Sequence, residues 1–247
     1  MIKIILYALL VFVIVYCIIL YKMHKKYETI TQKVLKPPSK EMYLINNFFP
    51  QEKFNYISNY IVQYYKSLNV RNDNFVRKGG SFSHQQMIST PLEKINDIFD
   101  NLDIISKIKK ETGLTLNYIP KTDPNRLGVL IYQEPKDGID WHYDGNNYYG
   151  NRWVGIYTVK NRSKDLQNPS KSKFEYILDN KEYSFNSPEN SLVLFRGDKI
   201  KHKVSSLGEG EIRIVVSLLF CDICERKLNP IDHIYQSMVN LIFYGKM

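Results

Sequence analysis

The feature that constrains this chain most is a change of hydrophobic period at Leu114. From there to Cys221, short runs of alternating apolar and polar residues follow one another at close spacing. The runs are Leu114–Ile119, Leu127–Tyr132, Trp141–Asp144, Trp153–Val159, Lys173–Leu178, Tyr183–Phe185, Ser191–Phe195, His202–Ser206 and Ile212–Cys221. On an extended strand, side chains two apart share a face, so each run can turn one side to a core. Asp137-Gly138 and Gly208-Glu209-Gly210 are turn signals between runs. Many short strands with turns between them predict a β-sandwich or jelly roll. The Gly208–Gly210 turn is expected to fold the His202 strand back on the Arg213 strand as a hairpin.

Upstream the period is helical. Met42–Phe49 reads as an entry strand, and Pro50 starts a helix over Gln51–Ser67 with Phe54, Ile57, Ile61 and Tyr64 on one face. Residues 71 to 90 are polar, contain Gly79-Gly80 and His84, and read as a loop over a site mouth. Pro91 opens a second helical region to about Lys110, with Gly113 as its stop. Pro230–Phe243 reads as a terminal helix that packs on the domain by default or else pairs with another chain; His233 within it has no partner pattern.

Chemistry concentrates around Trp141-His142-Tyr143-Asp144. His142 and Asp144, two apart on a strand, project together as a two-ligand clamp. His202 offers a third ligand far downstream, and Arg213 follows it by eleven residues. Two histidines and one carboxylate are the facial set that holds Fe(II) and leaves positions open. Arginine can grip a carboxylate in a two-pronged bond. For each of His142, Asp144 and His202 alone, the bland reading is a hydrogen-bonded structural residue; the ordered set favours a metal site. The loop Asn146–Asn151, directly after Asp144, is either a substrate-reading loop or an ordinary connection.

This ordered set resembles the iron(II)- and 2-oxoglutarate-dependent dioxygenases, the prolyl 4-hydroxylase-like branch most, over roughly residues 41 to 222. The resemblance implies a double-stranded β-helix, mainly β with supporting helices. It implies Fe(II) on His142, Asp144 and His202, with 2-oxoglutarate and O2 as co-substrates and ascorbate as a reductant. It further implies hydroxylation of a C–H bond, a peptidyl substrate being favoured over a small molecule, with release of succinate and CO2. Arg213 would pair with the far carboxylate of 2-oxoglutarate and Ser217, on the same face, would assist. Tyr132, ten residues before His142, would hydrogen-bond the co-substrate or else pack into the roll. Tyr157, or Val159 in a shifted register, would touch the same carboxylate. Two other readings stand beside this one. A nucleic-acid demethylase of the same superfamily would suit the net charge of +9. Such enzymes carry a second arginine soon after the first, and none lies between Arg213 and Arg226. A non-catalytic jelly-roll binding module need not keep all four site residues.

At the amino terminus, Ile4–Tyr21 is an uncharged run of 18 residues, about the shortest that spans a bilayer core. No small-residue cleavage site follows it; Lys22, Lys25 and Lys26 do. We therefore divide the chain into an anchor with basic flank (1–26), a linker (27–40), the jelly-roll domain (41–229) and a terminal helix (230–247). The positive-inside rule places the domain in the cytosol, whereas anchored animal prolyl hydroxylases face the secretory lumen. The sequon Asn161-Arg162-Ser163 is usable only in a lumen. Three cysteines make no disulfide framework; Cys221 and Cys224 form a lone C-x-x-C that could be a redox pair or half a zinc site, and two ordinary thiols at a strand end are the favoured reading.

Overall fold

In a computed structural model of the chain, two antiparallel sheets face each other across an apolar interior. The structure describes residues 2–33, 40–68 and 71–227, together with 234, 237 and 238. The elements in chain order are α1 (Ile2–Lys33), β1 (Met42–Ile45), α2 (Gln51–Tyr64), β2 (Arg77–Lys78), β3 (Gly80–Ser83), α3 (His84–Met87), α4 (Glu93–Phe99) and α5 (Leu102–Thr112). They continue with β4 (Asn117–Tyr118), β5 (Leu127–Tyr132), β6 (Gly138–His142), β7 (Arg152–Arg162), β8 (Phe174–Leu178), β9 (Lys181–Phe185), β10 (Leu192–Phe195), β11 (Lys201–Val204) and β12 (Ile212–Cys221). The major sheet runs β1-β10-β7-β12-β5-β3 with β4 on β12, and the minor sheet runs β2-β6-β11-β8-β9. This is a jelly roll with helices on its outer face, as the strand pattern predicts.

The period of two sorts the major sheet into two environments. On β7 and β12, Trp153, Tyr157, Val159, Ile214, Val216, Leu218 and Phe220 join the larger core with Ile57 and Ile61 of α2, Phe99 of α4 and Ile108 of α5. Their neighbours Val154, Ile156, Arg213, Val215, Ser217 and Leu219 line a cavity between the sheets. The helices thus plug one face of the major sheet and leave the other for a site. Burying such side chains stabilises by about 1.5–3 kcal/mol each, which fixes the strand register.

The structure departs from the sequence reading at several elements. The Gly208–Gly210 turn makes no hairpin: β11 lies in the minor sheet and β12 in the major one, so the chain crosses the interior there. His202 and Arg213 therefore sit on facing sheets. The 71–90 segment holds β2 and β3, which extend β6 and β5 at sheet edges. The second helical region divides at Asp100, because the Asn101 side chain accepts from Asp103 N and starts α5 afresh. Gly113 ends α5 in the left-handed conformation, φ 76°. Helix α1 runs to Lys33, seven residues into the segment read as a linker, since no Gly or Pro interrupts it before Pro37. Cys221 and Cys224 are joined as a disulfide rather than standing as separate thiols. Asn161 is buried and bonds Ser187 O and Ser170 Oγ, so the sequon side chain is not open to modification. The terminal helix and His233 fall outside the described residues, 234, 237 and 238 apart.

Candidate metal centre

β6 and β11 pair antiparallel with His142 directly opposite His202, which sets their rings 4.2 Å apart. Asp144 lies just past the end of β6, not on it. Its backbone N–H donates to Gly197 O in the β10–β11 turn, and this bends its carboxylate back between the histidines. His142 Nε2 is 3.9 Å from Asp144 Oδ1, and His202 Nε2 is 3.8 Å from Asp144 Oδ2. One ligand atom from each residue lies within 4.8 Å of the others.

The second nitrogen of each imidazole fixes its tautomer. His142 Nδ1 is 2.7 Å from Asp140 O, and His202 Nδ1 is 3.0 Å from Ile200 O. A carbonyl oxygen only accepts, so each Nδ1 carries the proton and each Nε2 turns a lone pair inward. Burial pushes His202 down to about 4, so it is neutral at pH 7. Burial alone would raise the Asp144 carboxyl, but His202, Arg152 and His142 outweigh it and hold the group below the usual range. Asp144 Oδ2 is nevertheless buried without a hydrogen-bond partner. An orphaned carboxylate oxygen facing two imidazole lone pairs is an arrangement that a divalent cation completes. The donor set of two imidazoles and one carboxylate fits Fe(II).

The cavity that these residues open on is about 300 Å³ and passes between the sheets to Arg213. Arg213 is fully buried, and its Nε and Nη1 have no hydrogen-bond partner. Only Nη2 reaches a neighbour, Ser187 Oγ at 3.5 Å. Burial lowers its guanidinium to about 10, with the Tyr132 hydroxyl acting against that shift. Tyr132 lies across from Arg213 in the β5–β12 register, is itself buried, and is held above its ordinary value by desolvation. Ser217 lines the same cavity. Leaving a buried guanidinium unpaired costs several kcal/mol, which a carboxylate ligand would recover.

His142, Asp144, His202, Arg213 and Tyr132 thus line one cavity. Tyr157 does not. It lies on the opposite face of β7, among Phe48, Phe49 and Phe99, and its hydroxyl bonds Asn190 Oδ1 at 3.1 Å. Val159 shares that face. The Asn146–Asn151 loop is also not a rim. It is tied to residues 222–227 by Asn151 to Asp222, Tyr149 N to Glu225 O and Lys227 N to Asn147 O, and Tyr148 is buried with its hydroxyl on Asp123. The exposed aromatics at the cavity are Phe75 and Tyr143. Sequence reasoning missed two further cavity cations, Arg77 and Arg152. Arg152 stands eight residues after Asp144 at the head of a strand, a position that hints at it; nothing in the polar run around Arg77 does.

No protein-family model matches the sequence, and no curated protein does. Solved structures share its fold. A prolyl-4-hydroxylase from Pseudomonas putida superposes with a TM-score of 0.53 at 10% identity, covering 74% of this chain and 92% of that one. A prolyl hydroxylase from Trichoplax adhaerens, in complex with a hypoxia inducible factor oxygen degradation domain peptide fragment, gives 0.56 at 16% identity over 82% and 92%. An oxidoreductase of the 2OG-Fe(II) oxygenase family from Burkholderia pseudomallei gives 0.55 at 8% identity over 76% and 87%. The fold of this chain is that of the 2-oxoglutarate- and iron-dependent oxygenases.

Proposed function

We propose that this chain is an Fe(II)- and 2-oxoglutarate-dependent dioxygenase of the prolyl hydroxylase-like kind, anchored to a membrane by α1. The observation that carries the reading is the shared cavity. At one end two imidazole lone pairs and an orphaned carboxylate oxygen converge; at the other an unpaired buried guanidinium waits beside Tyr132.

His142, Asp144 and His202 would hold the metal on one face. A metal held there would be Fe(II), at which O2 would serve as the oxidant, one oxygen atom going to succinate as 2-oxoglutarate loses CO2 and the other to an unactivated C–H bond. Arg213 takes the distal carboxylate of the co-substrate in a charge-assisted bond, and Tyr132 and Ser217 add hydroxyl groups beside it. The walls between, Leu130, Ile156, Val215 and Leu219, are apolar and keep bulk water from the reacting centre. Asp140 O and Ile200 O keep both imidazoles turned toward the metal.

A peptidyl substrate suits the mouth, where the exposed rings of Phe75 and Tyr143 line the cavity and offer apolar grip to an extended chain. The Trichoplax structure with its bound peptide supports the same class. Helix α1 supports the anchor: an 18-residue window within Lys3–Thr29 has a mean hydropathy of 3.0 and none of that window is buried. The lysines after it favour the cytosolic side for the domain.

The test is turnover. The full chain in detergent, loaded anaerobically with Fe(II), is given 2-oxoglutarate and O2, and succinate is measured. Slow succinate formation, lost in His202→Ala, is expected. A wild-type rate no higher than that of His202→Ala, with Fe(II) binding the same in both, would refute the reading.

A further inference from the structure

The cavity holds more positive charge than the proposed cofactor and co-substrate neutralise. Its ionised lining residues are Arg77, Arg152, Arg213 and Asp144. With Arg77 left out of the count, Arg152, Arg213 and a divalent cation carry four positive charges. Asp144 and the 2-oxoglutarate dianion carry three negative ones. One positive charge remains in a buried, largely apolar space, where an uncompensated charge costs several kcal/mol.

Arg152 is where that charge stands. It begins β7, is 9% exposed, and its Nη1 donates to Gly145 O immediately after the metal ligand Asp144. Its Nε is buried and has no hydrogen-bond partner. The carboxylates near it are already engaged. Asp144 belongs to the metal set, and Asp123 accepts from Tyr148, Asn125 and Arg226. Asp137, which does not line the cavity, is held by Arg71. Arg152 acts on both Asp144 and His202, so it lies at the metal end, away from the co-substrate anchor.

Resting on the dioxygenase reading above, we propose that the substrate presents a carboxylate to Arg152, beside the bond that is oxidised. A guanidinium with a free N–H in a dry site forms a strong ion-paired hydrogen bond to a carboxylate and a weaker one, without charge compensation, to the isosteric amide. The acid is either an acidic side chain of a polypeptide next to its target residue or a free organic acid with an apolar body. The chemistry at Arg152 is the same for both. Phe75 and Tyr143 at the rim and the apolar walls receive the remainder of the substrate.

Equilibrium binding tests this without requiring turnover. The full chain in detergent is loaded with Mn(II) and saturated with 2-oxoglutarate under nitrogen, so that Arg213 is occupied. Two matched pairs of probes are titrated by calorimetry: a capped prolyl hexapeptide with Glu beside the proline against its Gln twin, and cyclohexanecarboxylate against its carboxamide. The proposal expects the acid of at least one pair to bind about tenfold tighter or more, and Arg152→Gln to erase that preference. A preference in the peptide pair assigns a polypeptide acid; one confined to the cyclohexane pair assigns a free acid. Equal affinities within both pairs for the wild type overturn the proposal, as does a preference that survives Arg152→Gln. Arg152→Lys, which keeps the charge, retains part of the preference and separates charge from folding. Failure of Mn(II) and 2-oxoglutarate to bind at all would instead overturn the dioxygenase reading, so the two failures are distinct.

Discussion

Arg213 and His202 carry the most unequal environments for their chemistry. Arg213 is held fully buried with two unpartnered nitrogens, so the protein without co-substrate bears its desolvation cost. Arg213→Met therefore stabilises the ligand-free protein, by about 1–4 kcal/mol. The same change removes the rise in melting temperature that 2-oxoglutarate gives the Fe(II)-loaded wild type. Thermal melts with and without 2-oxoglutarate check both effects; a destabilised variant that still responds to it would contradict them. His202 is neutral in the fold down to about pH 4 but titrates near its ordinary 6.5 when unfolded. The unfolded chain binds that proton first, so His202 favours folding above about 6.5, and this contribution is lost as the pH falls to 4. His202→Asn should flatten the acid limb of metal-free stability in that window, as measured by urea melts across pH. The proposed ligand residues, which the structure brings together, could be picked out in the sequence because two histidines and a carboxylate are a distinctive set. The placement of Tyr157 was not legible, because β7 is buried on both faces, so its near-continuous apolar pattern does not say which face a given side chain takes.

At the scale of elements, the site depends on how β6, β11 and the β10–β11 turn meet. His142 and His202 face each other because two short strands pair in one register. Asp144 is placed by the turn, where Gly197 leaves room: a Cβ there would stand 2.1 Å from Asp144 Oδ2 and 2.7 Å from Val154 Cγ2. Gly197→Ala must move the carboxylate or the turn. It should cost about 1–3 kcal/mol in stability and weaken metal binding about 10–100-fold, as loss of ligand support does. Unchanged Mn(II) affinity by calorimetry would show that Asp144 is not held this way. The strands of the roll were readable from alternation alone. Their partners were not, because the Gly208–Gly210 link looks like a hairpin turn whether it joins neighbours or crosses between sheets. Strands β2 and β3 were hidden in a polar run because edge strands at a cavity mouth need little apolar sequence.

At the scale of the molecule, an exposed apolar helix is joined to a domain that buries its own core. One polar link between them is Lys26, which pairs with Glu225 and lies over the Tyr149 ring. Exposed pairs of this kind contribute about 0–1 kcal/mol, so removing residues 1–39 should shift the melting temperature of the domain by no more than about 2–4 °C. A larger loss would mean that α1 is a structural part of the domain. If the domain faces the cytosol as proposed, the Cys221–Cys224 disulfide is reduced there, both cysteines should be alkylated as thiols in intact cells, and the bridge should close only after extraction. Protection from alkylation in the cell would place the domain in an oxidising compartment instead. The apolar run and the jelly roll were both evident from sequence, since each rests on hydrophobic pattern; the cationic interior was not, because its arginines come from elements distant in the chain. The central claim is that His142, Asp144 and His202 hold a metal which, together with Arg213, binds 2-oxoglutarate. The most direct measurement is equilibrium binding of 2-oxoglutarate to the full chain under nitrogen, with and without Fe(II), for wild type, His202→Ala and Arg213→Met. Binding that requires Fe(II) and is lost in both variants is the predicted result. Binding independent of Fe(II), or unchanged in either variant, would contradict the account.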